Sequence, residues 1–437
     1  MSTTMVARIA ARLALLAVGA RACTLFHFDV NDNETVVGRT MEVGGTHLIP
    51  LWEVVAHPRH SVESAVVPRN ELGFVSIDVS ATERVIGLPS VSDGMNIAGL
   101  TVSIQTFRTA IYQDRDANSA VAEVPFLAVG ALLLGCCDTV AAAEAALRNV
   151  TVYGNAIPSG DRIHWAVVDA TGGSVVFEYI AGALVVSQNS AGVNTNDPEY
   201  SWHLTNLDQH VGLSPAWPDA SDWAVEAPAA FGGVAPLAVG HGLNLKALPG
   251  SYSPADRFVK MFVLKQHALL AAPPRTLDEG IAVATGLINT VVRRGPRLPR
   301  APRRLPSFLP RITTTRRPPP AAPRPPPGSD GRSPRLSPHS FPLSPASRAV
   351  VSQHIVLGTV PSEDPSAPRS NLELTQWSAI KLPQRRELLF RSYDDMRWRR
   401  VWLSELALDD PAAQFSTLRV FAGGMDIKDE TRAMARS

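Results

Sequence analysis

Cys23 stands one residue past a small-residue pair, Ala20 and Ala22, in "VGARACTLFHFDV". Upstream, Arg8 and Arg12 flank the start of a short apolar run, "LALLAVGA" (13–20), too short to span a bilayer. The pattern is that of a secretory signal over residues 1–22, with cleavage after Ala22. Cleavage there makes Cys23 the first residue of the mature chain, so the chain is expected to be exported. A terminal cysteine carries a nucleophile and a base together. Its α-amine, with a reference pKa of about 7.7–8.0, can take the thiol proton near neutral pH. The thiolate can then attack an amide carbonyl, release an amine and leave a thioester for water. Such a nucleophile needs a cation to favour thiolate, an acid to orient the amine, and donors for the oxyanion.

The elements that must hold these groups follow from periodicity. "CTLFHFDV" and "ETVVGRTMEV" alternate and are separated by the turn "NDN". Residues 91–107 read as a turn and a strand, 163–189 as three strands, and 120–148 as one apolar helix. Residues 254–271 and 277–289 are predicted helices, the first with Ser253 as cap and Pro254 at the first helical position. "GLINTV" (286–291) is nevertheless apolar enough to read as strand. "WSAIKL" and "ELLFRSY" flank the turn "PQRR", and the last residues, 409–437, read as a loose tail. Strands, then helices, then strands give an α+β fold with stacked sheets.

The chain has 437 residues, 45% of them hydrophobic, and a net charge of +1, which gives no bias towards nucleic acid. Three cysteines supply no disulfide framework, and Cys136 and Cys137 read as two buried thiols in the predicted helix. The eleven histidines show no metal-ligand spacing, so no metal or cofactor is expected, and no later run is long enough for a membrane anchor. The sequons at 33–35 and 149–151 could be glycosylated in a eukaryotic secretory route.

Residues 292–353 differ from the rest. They hold 16 of the 36 prolines and 13 arginines against the single acid Asp330, a net charge of 13 − 1 = +12. The remainder is therefore +1 − 12 = −11. This composition predicts a disordered insert. It suits an anionic partner, a Pro-rich ligand for adaptor domains, or a retained in-frame intron. On the last reading "GLINTV" (286–291) joins "HIVLGTVP" (354–361) as one continuous strand. The domain reading is thus a signal at 1–22, a main domain with its first part at 23–291 and its final strands at 354–408, the insert at 292–353, and the tail at 409–437.

"CTLF…GRTMEVG", "SDGMNIAGL", "IHWAVVDATGGSVVFE", "GVNTNDPEYSWHLTNLDQHVGL", "LPGSYSPADRFV" and "ELTQW", in that order, resemble the choloylglycine hydrolase family, which includes penicillin V acylases and conjugated bile salt hydrolases. The resemblance implies a four-layer αββα N-terminal-nucleophile hydrolase sandwich of two antiparallel sheets. It implies hydrolysis of a linear amide in a small-molecule N-acyl substrate, and often a homotetramer. Cys23 matches the nucleophile and Arg39 the arginine beside its sulfur. Glu42 stands where the family has aspartate, one methylene longer. Asn196 matches the oxyanion-hole asparagine and Arg257 the last active-site arginine. Thr106 falls on a variable position where bile salt hydrolases tend to have asparagine, which tilts the reading towards an acylase of aromatic or fatty acyl amides. Phe26, Met41 and Trp165 are candidates for an apolar pocket. Two other readings stay open: a catalytically impaired relative that binds without turnover, and a lipid-anchored binding module acylated on Cys23.

Overall fold

A computed structural model of the chain describes residues 22–31, 34–44, 52–79, 91–154, 162–213, 245–293, 360–361, 372–392, 395–420, 428–429 and 434, apart from single positions at 63, 65, 117, 119 and 416. The expected signal segment up to residue 21 and the insert from residue 294 onward lie outside the described residues.

Two eight-stranded sheets form the centre. The first runs in the order Val193–Asn194 (β12), Ala22–Asn31 (β1), Glu34–Gly44 (β2), Leu372–Leu382 (β14), Glu387–Ser392 (β15), Arg399–Trp402 (β16) and Lys428–Asp429 (β18), with Val360–Pro361 (β13) also on β14. The second runs Ala183–Gln188 (β11), Ser174–Ile180 (β10), Ile163–Val168 (β9), Thr101–Thr106 (β6), Asp93–Asn96 (β5), Phe74–Val79 (β4), Trp52–His57 (β3) and Leu418–Arg419 (β17). All pairings in both sheets are antiparallel except β16 with β18. Ala122–Pro125 (β7) and Val150–Tyr153 (β8) make a small parallel pair beside them.

Strand alternation sends side chains to opposite faces. Cys23, Met41, Trp377 and Ala379 of the first sheet meet Val54, Val75, Ile77 and Met95 of the second. On the other face of the first sheet, Phe26, Phe28 and Val36 pack under helices Pro254–Ala271 (α4) and Leu277–Val291 (α5). On the outer face of the second, Val102, Trp165 and Val167 pack under Val129–Cys136 (α1) and Val140–Arg148 (α2). The result is the expected αββα sandwich. Gly38 is required by packing: a Cβ there would fall 2.2 Å from Cζ of Phe26, whose ring lies across it.

The helix ends follow the sequence signals. Ser253 Oγ accepts the N–H of Asp256 with Pro254 at the first turn, and Thr276 with Glu279 forms a capping box at the start of α5. Four local expectations are corrected. Residues 120–148 are not one helix but β7, a short 3-10 turn, α1 and α2. The helix breaks because Thr139 turns its oxygen to the N–H of Ala142 and so starts a new helix. Helix α1 ends at Cys136, which leaves that thiol exposed. Cys137 is buried, and the two free sulfurs lie 2.8 Å apart. Residues 286–291 close α5 rather than open a strand, since Ala284, Leu287, Ile288 and Val291 bury one helical face. The region after residue 408 is tied at Leu418–Arg419 to β3 and at Lys428–Asp429 to β16.

Two buried histidines and one half-buried one set an acid limit on stability. Burial holds His27 down to about 3, His57 to about 4 and His203 to about 4, from an ordinary 6.5. Below pH 6.5 the unfolded chain takes protons that the native state refuses, so stability present above 6.5 is lost as the pH falls towards 4. Glu42 and Glu387, both raised by burial, pull the other way and reduce the slope. The urea midpoint is expected to fall steadily from pH 7 to pH 5, and to fall less steeply in a His57→Gln variant.

Candidate active site

The β1–β2 register places Cys23 opposite Met41, and Cys23 Sγ lies 3.5 Å from Met41 Sδ. Cys23 is 1% exposed. Two residues back along β2, on the same face, Arg39 spans the gap between the sheets. It donates through Nη1 to Thr40 O and through Nη2 to Ile104 O, and its guanidinium carbon sits 5.6 Å above the Trp377 ring. Among the described residues it forms no ion pair with a carboxylate. The guanidinium is fully buried and lies on the same face of β2 as Met41, the residue opposite Cys23.

The opposite face of β1 carries the second half of the site. The Cys23 N–H donates to Asn196 Oδ1 at 2.8 Å. Arg257, on the first turn of α4, donates from Nη1 to Cys23 O at 2.5 Å and Thr24 Oγ1 at 2.8 Å, and from Nη2 to Asn196 Oδ1 at 2.7 Å. Its Nε donates to Tyr252 O at 3.0 Å. Asn196 Nδ2 in turn donates to Thr106 O at 3.0 Å. Thr106 therefore meets Asn196 through its carbonyl, while its buried hydroxyl has no partner among the described residues.

Glu42 lies further along β2, opposite Ala22 in the register. Its carboxyl accepts from Thr375 Oγ1 at 2.9 Å and Thr40 Oγ1 at 3.2 Å. Burial pushes its pKa up, opposed by the charges of Arg257 and Arg293. Arg293 is packed in: its N–H donates to Thr375 Oγ1 at 2.8 Å, its Nη2 donates to Tyr252 O at 2.6 Å, and it lies over the Tyr252 ring.

The structure thus brings Cys23, Met41, Thr106, Asn196 and Arg257 together, places Arg39 on the same face of β2 as Met41, and holds Glu42 on Thr40 and Thr375 one residue beyond Met41. It does not bring Phe26 or Trp165 to the sulfur. Phe26 belongs to the layer under α4 and α5, and Trp165 to the layer under α1. Both are core residues on faces turned away from Cys23. Thr24, Tyr252, Thr375 and Arg293 were missed. Thr375 lay inside the matched "ELTQW", and Arg293 was assigned to the Pro/Arg-rich segment on composition alone. Among the described residues no His, Cys, Asp or Glu cluster could hold a metal ion, and no helix is long and apolar enough to cross a membrane.

Two antiparallel sheets between helical layers, with a cysteine on an inner strand beside an arginine and an asparagine, define an N-terminal-nucleophile hydrolase fold. The solved structures agree. A variant of conjugated bile acid hydrolase from Clostridium perfringens superposes with a TM-score of 0.62 at 17% identity, covering 93% of this chain and 99% of that one. Penicillin V acylase from Agrobacterium tumefaciens gives 0.56 at 17%, covering 94% and 96%. Residues 23–285 match the linear amide C–N hydrolases, choloylglycine hydrolase family, and the chain belongs to that family. Among relatives, the bile salt hydrolase/transferase of Clostridium perfringens is 30% identical over 182 residues, 40% of this chain and about half (52%) of that protein's length. A conjugated bile acid hydrolase of Lactobacillus gasseri is 29% identical over 254 residues, 54% of this chain and 72% of that protein.

Proposed function

We propose that the processed chain is an exported cysteine amidohydrolase that cleaves a linear, non-peptide amide of a small N-acyl substrate. The observation that carries this reading is the hold of Asn196 and Arg257 on the Cys23 backbone, with Arg39 on the same face of the sheet as the Cys23 side chain. Removal of residues up to Ala22 turns the Cys23 N–H into an α-amine still beside Asn196 Oδ1. That amine takes the thiol proton. The sulfur forms a bond to the substrate carbonyl carbon, and the developing oxyanion is met by amide donors, one of them the free N–H of Asn196 Nδ2. The proton then passes to the leaving nitrogen as the C–N bond breaks. Water attacks the thioester, giving its proton to the α-amine, and the acid and thiol are released. Arg257 fixes Asn196 Oδ1, which keeps the amide nitrogen turned towards Thr106 and the reacting centre. Family membership and the fold support penicillin V acylase-like or bile salt hydrolase-like chemistry. Thr106, standing where bile salt hydrolases tend to have asparagine, tilts the reading towards an aromatic or fatty acyl group, while its contact with Asn196 is through a backbone carbonyl that any residue offers.

The test is amine release from a panel of glycine- and taurine-conjugated bile salts, phenoxyacetyl penicillin, N-acyl homoserine lactones and N-acyl amino acids, together with the intact mass. A chain that starts at unmodified Cys23 and releases amine is the expected result. A lipid on Cys23, a different start, or a folded protein inert to the whole panel would overturn it. The same mass reports whether residues 292–353 are present. Their loss would remove Arg293 from beside Tyr252 and Thr375.

A further inference from the structure

The loop that presents Asn196 is held residue by residue. Asn194 pairs with Leu25 of β1. Thr195 O faces His164 Nε2 at 3.2 Å, and His164 Nδ1 lies 3.0 Å from Glu178 Oε1. Thr195 Oγ1 donates to Pro254 O at 3.1 Å, at the start of the helix that carries Arg257. The Asp197 carboxylate accepts the N–H groups of Arg108 and Thr109, both at 3.0 Å, just past Thr106. Asn196 itself is held from behind: its carbonyl accepts from His203 Nε2 at 2.9 Å. His203 lies on helix Tyr200–Leu207 (α3) and is fully buried. Its ring stacks on Phe258 at 4.6 Å with an interplanar angle of 6°. Phe258 is the neighbour of Arg257, so one ring ties the Asn196 backbone to the helix whose arginine grips the Asn196 side chain.

We propose that His203 is a positioning residue for catalysis: its Nε2–H fixes the Asn196 peptide, and through it the direction of the Asn196 amide at the reacting carbonyl. This rests on the reading above, in which Asn196 Nδ2 meets the oxyanion. A donor aimed at the transition state loses much of its effect when misplaced by a fraction of an ångström, and the loss appears in kcat because the interaction grows as charge develops. Glu178, His164 and Arg257 surround the ring, and its neutral form needs only one donor, which it gives to Asn196.

Three variants of the processed chain decide it, assayed with the fastest substrate of the panel and checked by thermal melting. His203→Phe keeps the stack on Phe258 and removes the donor. It should lower kcat by about 10- to 100-fold with KM changed less than about threefold. His203→Gln returns an N–H at similar reach and should recover activity to within about threefold of the parent. Asn196→Ala should lower kcat by about 100-fold or more. If Asn196→Ala is active, the oxyanion reading itself fails. If Asn196→Ala is impaired while His203→Phe equals the parent, the positioning role fails alone. Equal losses in the Phe and Gln variants would reduce His203 to a packing residue and also overturn it.

Discussion

Cys23→Ala is expected to abolish amine release, by roughly 10⁴-fold or more, while the protein still folds. The residue is small and its sulfur lies against the flexible Met41 side chain, so truncation removes little core volume. Its other contacts survive the change, because Asn196 and Arg257 hold the backbone N–H and C=O rather than the side chain. Melting within a few degrees of the parent, together with no turnover, is the result that assigns the loss to chemistry. Cys23→Ser should keep the fold too and leave at most residual activity, since an alcohol is a weaker nucleophile than a thiol near neutral pH. Full activity in the alanine variant would place the nucleophile elsewhere.

The largest effect on stability is expected at Lys381. Its ammonium pairs with the Asp93 carboxylate and donates to Ser103 Oγ at 2.7 Å, and both charged residues are 0% exposed. Lys381 comes from the first sheet, while Asp93 and Ser103 lie on β5 and β6 of the second. The pair is therefore a polar bolt between the two sheets, close to Arg39, which crosses the same gap. Lys381→Met leaves Asp93 buried without its cation and should cost about 3–5 kcal/mol, read as a lower urea midpoint at unchanged slope. Asp93→Leu added to it removes the stranded charge and should restore most of the loss. Ile104, the next residue after Ser103, offers the carbonyl that holds Arg39. Activity that stays low in the stable double variant would show that the bolt also places Arg39. Recovery of both would limit it to stability. A double variant no more stable than Lys381→Met would sink the account of the pair.

Much of this protein was written in local sequence. Alternation marked β1 and β2, the short turn between them forced the pairing that sets Cys23 beside Met41, and Ser253 and Pro254 marked the start of the helix that carries Arg257. The resemblance of ordered motifs to the choloylglycine hydrolase family implied Cys23, Arg39, Asn196 and Arg257, while strand parity and helix caps, which are nearest-neighbour effects, marked the elements that carry them. The same parity already separated Phe26 from Cys23, three residues apart and so on opposite faces. What parity cannot say is which face meets the other sheet and which meets helices. That was decided by packing, and it turned Phe26 and Trp165 into core residues. Composition also misled where burial overruled it: Arg293 looked like the start of an unfolded basic run, yet it is drawn in by the Thr375 hydroxyl and the Tyr252 carbonyl. The contacts that complete the site join residues far apart in the chain, 234 positions for Arg257 with Cys23 and 333 for Thr375 with Glu42. No local pattern encodes such pairs. They exist only once the two sheets and the α4–α5 layer have closed on one another, because a buried donor or acceptor must then find whatever partner the closed fold brings within reach.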